Sequence, residues 1–289
     1  MLLQNYSINF IICGIICHIS GILNNFKTDN KINRFHDIIV LEVIVMNKNI
    51  MLFKIKKYLA NKFECDISEL DKKGLNIIKN NKDYKLKMLL LYDLVLVSCS
   101  NNLYDLVKER LNGKNIYEIF EFPLAYGQSI YFVPDLERIS KQDEINNLTF
   151  KLFDGNTSEI ELSSGFENAI TFENGKCISN IAYCAYDGNK IVGVAGADRV
   201  YDNIWEVGIE VLPEYRKDGL ATILTKNLTL KILEKGIVPI WCASSTNIGS
   251  QAVANKSNYI PLWFETFGDV FDNNFVYKDL INIGGDKND

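Results

Sequence analysis

Histidine is nearly missing from this 289-residue chain, which has two, His18 and His36. Both precede the first segment with a convincing globular pattern, so the usual base of Ser-His or Cys-His catalysis is absent from the body of the chain. Acid–base chemistry there must fall to carboxylates, tyrosines, lysines, cysteines or ordered water. Paired cysteine motifs are missing too. The seven cysteines have irregular spacings and no C-x-x-C, so neither a zinc site nor a disulfide framework is expected, and the odd count suits a reducing cytosol. There is no basic excess: 31 lysines and arginines against 36 acidic residues leave a net charge of −5, with the lysines scattered. Nucleic-acid binding, which needs a concentrated basic surface, is excluded.

Long apolar runs and nucleotide signatures are also wanting. "INFIICGIICHISGIL" (8–23) is apolar but shorter than the ~20 residues that span a bilayer, no basic residue precedes it, and no small-residue cleavage site follows. Neither a membrane anchor nor a signal peptide is expected. Residues 1–45 read as an N-terminal extension, with "MNKNIMLFKIKKYLANKF" from Met46 resembling an ordinary start. No G-x-x-x-x-G-K-[ST] occurs, and "GVAGAD" (193–198) lies in a hairpin rather than opening a helix, so nucleoside-triphosphate and dinucleotide signatures both fail.

What is present suffices for a core: 47% of residues are hydrophobic. Leu52, Ile55, Tyr58 and Leu59 recur at helical spacing between lysines and predict an amphipathic helix over 50–62. "LKMLLLYDLVLVSCS" (86–100) fits a buried strand or part of a helix. "NNLYDLVKERLNGKN" reads as a helix capped by Asn101 or Asn102 and stopped at Gly113. "FPLAYGQSIYFVPD" (122–135) reads as irregular chain leading into a short strand, and the polar run 140–147 as a linker. After it come three extended runs separated by "DGN" and "YDN", which predict three antiparallel strands. In the third, Val207, Ile209 and Val211 face one way, Glu206, Gly208 and Glu210 the other. From Leu220 the period becomes helical, with Gly236 as the stop. A strand (237–245), a helix capped by Asn247 (247–258) and another strand follow.

The chemistry concentrates in "VLPEYRKDGLAT" (211–222). Where a strand ends and a helix begins, the first N–H groups lack partners and the helix dipole adds positive charge, so the place attracts an anion. Gly219 and Ala221 keep the approach open, and Arg216 and Lys217 add cationic side chains suited to phosphate oxygens. An ordinary tight turn would read the same way.

This stretch resembles the acetyl-coenzyme A (acetyl-CoA) loop of the GNAT superfamily of N-acetyltransferases, V-x-P-x-[YF]-[RQ]-x-x-G-x-[GA]. The resemblance covers residues 148–268, and with "YGQSIYFVPD" and a preceding domain it is similar to the two-part acetyltransferases of clostridial and related bacteria. It implies an α/β (α+β) fold, a mixed, mostly antiparallel sheet flanked by helices, with a smaller N-terminal α/β domain over 46–140 and the acetyltransferase domain over 148–289. It implies acetyl-CoA as co-substrate and a primary amine of a small molecule or peptide as acceptor. Backbone groups of Ile209, Val211 and Leu212 would hold the pantetheine arm, N–H groups of Lys217, Asp218, Gly219, Leu220 and Ala221 would cradle the pyrophosphate beside Arg216, and Asn247 would contact the pantetheine, with Ser250 one turn on. A bulge near Ile209 would point N–H groups at the thioester carbonyl.

Transfer to an amine also needs a proton acceptor, and Glu206 or Glu210 can serve, directly or through water. Family members often place a carboxylate near Glu206. The tyrosine that many members use to protonate the thiolate is replaced by Ala254, which leaves Tyr259, Ser250, Ser257 or water for that role. A non-catalytic acyl-CoA-binding module is the alternative reading.

Overall fold

The computed structural model describes residues 46–81, 85–122, 124–160 and 165–269. His18, His36 and the apolar stretch 8–23 lie outside them. Helix α1 (Lys48–Phe63) begins where the Asn47 side chain accepts from the N–H of Ile50 at 3.0 Å. Its inner face carries Met51, Ile55, Tyr58, Leu59 and Phe63, all buried.

The alternative left open at 86–100 resolves as a hairpin, β2 (Leu86–Leu91) and β3 (Leu94–Ser100), turning at Tyr92 with φ 52°. β3 runs parallel to β1 (Gly74–Asn80). β2 and β3 are mostly apolar because both faces are covered, by α1 on one side and by α2 (Tyr104–Leu111) and α3 (Ile116–Glu121) on the other. The expected cap of α2 is not formed. Asn102 spends its side chain on the Ser100 hydroxyl, residues 101–103 continue the turn, and Leu103 takes the cap position without a side-chain bond. Gly113, at φ 74°, ends the segment as predicted.

A second correction concerns 122–135. Residues Ala125–Pro134 form a ten-residue strand, β4, inserted between β11 (Val238–Ser244) and β12 (Tyr259–Asp269). Its neighbours are more than a hundred residues away in sequence, and both its faces are covered, Tyr131 and Val133 packing in one core and Phe132 in the other, so it shows no alternation to read. The polar run 140–147 contains no strand or helix, yet it is tied down: the N–H and C=O of Gln142 bond the side-chain amide of Asn227 at 3.0 and 3.1 Å.

The remaining strands are β5 (Thr149–Asp154), the short pair β6 (Phe172–Glu173) and β7 (Lys176–Cys177), β8 (Ile181–Asp187), β9 (Lys190–Tyr201) and β10 (Ile204–Val211). Ten strands form one sheet in the order β1-β3-β2-β12-β4-β11-β10-β9-β8-β5. Only β1/β3 and β10/β11 are parallel, so the sheet is mixed and mostly antiparallel. Helices α4 (Leu220–Glu234) and α5 (Ile248–Lys256) cover the face opposite α1, where Leu220, Leu224, Leu228 and Ala254 pack on Val207, Val211 and Trp241. The described residues belong to one compact unit that starts at Ile44. No helix among them is long and apolar enough to cross a membrane.

Candidate functional site

The site begins where two strands part. β10 pairs with β11 only over Ile204–Glu206, against Val238–Ile240. Beyond that β11 pairs with β4 alone, from Trp241 to Ser244, while β10 stays with β9 as far as Val211. The second half of β10 therefore has an open edge. The N–H of Leu212 donates to Val192 O at 2.9 Å, towards β9, and since alternate residues point their backbone groups to opposite sides, Ile209 presents its N–H and C=O, and Val211 its N–H, to the opening. Leu212 itself does not, which corrects its expected part in holding a pantetheine arm.

The bulge expected near Ile209 is absent. The β9/β10 register runs unbroken from Trp205 to Val211 and shifts between Ile204 and Trp205 instead. The departure of β11, not a bulge, frees the N–H of Ile209.

The open edge leads into the loop 211–219. A 3-10 turn (Pro213–Tyr215) is followed by Arg216, whose Nε donates to Val211 O at 2.7 Å and pins the loop to the strand end. Lys217 and Gly219 have φ of 79° and 83°; no atom lies within 4 Å of where a Gly219 Cβ would stand, so glycine is needed there for its backbone conformation rather than for space. Gly219 occupies the cap position of α4 and no side chain caps the helix, so the first N–H groups of fifteen helical residues are left for a ligand. Arg216, Lys217 and Gly219 to Ala221 line a cleft of about 880 Å³ that runs from this loop past the edge of β10; Asp218 is not among its lining residues.

Asn247 and Ser250 form the facing wall. Asn247 accepts from the N–H of Ser250 at 3.0 Å and so caps α5, and Ser250 Oγ accepts from Trp241 Nε1 at 2.9 Å. The third wall, residues 167–171, was not foreseen. It rests directly on the sheet: a Cβ on Gly196 or Gly208 would stand 2.2 Å from the carbonyl oxygens of Ala169 or Asn168. Those two glycines, on adjacent strands and directly opposite each other, were the signal that could have found it.

The two candidate carboxylates differ in their surroundings. Glu210 accepts from both the backbone N–H and the side-chain amide of Asn168, at 3.3 and 3.0 Å, and so anchors that third wall. Glu206 lies at the branch point of β10 and β11, across from Asp198, and both line the cleft. Burial pushes the Glu206 carboxyl above the usual glutamate range, helped by Glu265 and Asp198 and opposed by Lys62. Asp198 accepts from the Thr171 hydroxyl at 2.7 Å.

Of the groups considered as acid, Tyr259 is buried away from the cleft with its hydroxyl 2.7 Å from Thr229 Oγ1, and burial raises its pKa. Ser257 is fully buried as well, with no partner for its hydroxyl. Ala254 is buried in the core under α5. Among the described residues no cluster of side chains fits a metal ion, and the five cysteines are unpaired thiols.

The family that the sequence resembles is borne out by comparison with known proteins. The family profile for GNAT acetyltransferases matches residues 69–261, more than half of the chain. No curated protein matches in sequence. Among solved structures, the chain is similar to a GCN5-related N-acetyltransferase-like protein from Streptococcus suis (18% identity, TM-score 0.37, covering 60% of this chain and 71% of that one). It is also similar to a GCN5-related N-acetyltransferase from Kribbella flavida (14%, 0.41, 53% and 63%) and to a GNAT-family acetyltransferase from Colwellia psychrerythraea (11%, 0.39, 63% and 65%). It thus spans less than two thirds of the length of the last two. None of these comparisons singles out the two-part clostridial kind. On the profile match, the chain belongs to the GNAT acetyltransferase family.

Proposed function

We propose that the protein is an N-acetyltransferase that moves the acetyl group of acetyl-CoA to a primary amine of a small-molecule acceptor. The observation that carries this reading is the continuous path from the open edge of β10 to the uncapped start of α4. An extended pantetheine arm is met by the backbone N–H and C=O of Ile209 and the N–H of Val211. A pyrophosphate is met by the N–H groups that begin α4, with Lys217 beside them.

The acetyl donor supplies an activated thioester; this chain's residues supply position and proton transfer. The N–H of Ile209 faces the opening, where it stabilises negative charge developing on a carbonyl oxygen. Glu206, at the inner end of that edge, takes the proton from the acceptor ammonium, directly or through water. Glu210 is committed through Oε2 to its two bonds with Asn168, which makes Glu206 the better candidate for this role. Asp198 beside Glu206 makes this end of the cleft acidic, which favours a cationic acceptor over an acidic one. The leaving thiolate takes its proton from water or from the Ser250 hydroxyl, which lines the cleft, since Tyr259 and Ser257 are out of reach and position 254 is alanine.

That alanine is also what favours the second reading, an acyl-CoA-binding module without turnover. A thermal-shift titration with acetyl-CoA, coenzyme A and ATP tests the shared premise. A ligand at about a hundred times its Kd adds roughly 2.7 kcal/mol to the stability of the fold. The expected result is stabilisation by both coenzyme A forms but not ATP, lost in Gly219→Glu, which puts a carboxylate at the start of α4. Equal stabilisation of wild type and Gly219→Glu would remove the loop from the binding site. An amine screen with acetyl-CoA then separates enzyme from module.

A further inference from the structure

On the α1 face of the sheet the strand register sets a row of side chains side by side. Asp198 is opposite Glu206, Glu206 is beside Ile240, Cys242 is opposite Tyr131, and Tyr131 is opposite Trp263. Glu265, two residues beyond Trp263, shares its face and accepts from Trp263 Nε1 at 2.8 Å. Neighbouring strands lie about 4.8 Å apart, so the cleft carboxylate is linked to β12 by three steps between strands and one step of two residues along β11, from Ile240 to Cys242.

The last turn of α1 comes down onto the row. Lys62 Nζ lies 2.6 Å from Glu265 Oε2, 3.3 Å from the Tyr131 hydroxyl to which it donates, and over the rings of Tyr131 and Tyr58 at 4.9 and 5.4 Å from their centres. Tyr131 in turn stacks on Trp263 at 4.6 Å with 6° between the planes. Glu265 is 2% exposed. A buried ion pair of this kind is costly to desolvate, and a pair of apolar side chains would hold α1 as well. Both partners lie outside residues 69–261, so the pair is no part of the segment that defines the family match.

We propose that Lys62 is a positioning residue for Glu206: the Lys62–Glu265 pair, fixed by Tyr58, Tyr131 and Trp263, sets the charge that the cleft carboxylate carries. Its bearing on catalysis rests on Glu206 being the proton acceptor of the proposed reaction; the coupling between the charges does not. Asp198 of β9 stands opposite Glu206, and the other titratable groups whose charges act on it are Lys62 and Tyr58 from α1, Glu265 from β12 and Cys242 from β11. Of these only Lys62 is a cation, and its influence on Glu206 exceeds that of Glu265 and has the opposite sign. Burial works against the Lys62 ammonium, but Glu265 and Tyr58 outweigh it and keep it charged. Lys87, 3.9 Å from Glu265, is a second cation on that carboxylate.

The test reads Glu206 without any turnover. Protein labelled with 13C at the glutamate carboxyls is titrated by NMR, and the Glu206 signal is identified by its loss in Glu206→Gln. Lys62→Met is expected to raise the Glu206 midpoint by about one pH unit, and Glu265→Gln to lower it. Lys62→Arg, which keeps the charge, should leave it unmoved. Where a single variant does not fold, Lys62→Met/Glu265→Gln leaves no unpaired buried charge, and its midpoint should still rise because the stronger influence is the one removed with Lys62. Midpoints that stay at the wild-type value, or that move the same way in both single variants, overturn the proposal. Midpoints that move as expected while Glu206→Gln keeps full turnover uphold the coupling and reject only the proton-acceptor role.

Discussion

Glu206 is held towards its neutral form by burial and by the charges of Glu265 and Asp198, while Lys62 pulls it the other way. Because the net shift is upward from 4.5, the acid limb of turnover should lie above that of an ordinary glutamate, and activity should fall as pH drops through it. Glu206→Gln is expected to lose about a hundredfold or more in turnover while acetyl-CoA affinity stays near wild type. The sign for stability is opposite to that for activity. A carboxyl whose folded-state pKa is raised gives its full contribution below the unfolded value and loses it as pH rises through the folded one. Glu206→Gln has nothing to ionise, so its melting temperature should exceed that of wild type at about pH 8, and the gain should vanish near pH 4. A variant less stable than wild type at both pH values would mean that the carboxylate is a structural anchor, as Glu210 is, and not a strained functional group.

At the scale of elements, legibility in the sequence followed locality. The cradle at 211–222 was readable because everything it needs is contiguous: a strand end, Arg216, a left-handed Gly219 and a helix without a capping side chain. The three strands β8 to β10 were readable from turn residues and alternation for the same reason. β4 was not, since its pattern depends on pairing with residues 241–244 and 259–269. The Lys62–Glu265 pair, two hundred residues apart, leaves no local trace. Gly196 and Gly208 did leave one, but the first was weighed only as part of a failed dinucleotide signature. Their need for a bare backbone gives a prediction at this scale. Gly208→Val drives a side chain into the Asn168 carbonyl, 2.2 Å from the site of its Cβ, and so displaces the wall that Glu210 holds. Stability should fall by about 1–3 kcal/mol, the usual cost of overpacking, in denaturant titrations. Greater proteolysis around residues 165–171 should accompany the loss. An unchanged cleavage pattern would show that the wall does not depend on that close approach.

The molecule as a whole joins its two halves through one sheet rather than through a linker. β4, which precedes the polar run 140–147, fills the place between β11 and β12, and its apolar residues belong to the cores on both sides: Tyr131 and Val133 to the one under α1, Phe132 to the one under α4. Removing everything before residue 148 would strip the pairing edge from both neighbours, expose Trp241, Tyr259 and Trp263, and free the amide of Asn227 from Gln142. A β12 no longer covered on either side is an unpaired edge of the kind that aggregates. A chain started at residue 148 is therefore expected to lack a cooperative thermal transition and to bind acetyl-CoA no better than unfolded protein, although it contains every residue of the loop 211–219 and of α4. A chain started at Met46 should melt cooperatively. Cooperative melting of the 148–289 fragment would mean instead that the C-terminal strands close on themselves, and that α1 and β4 serve the acceptor end of the cleft without being needed for the fold.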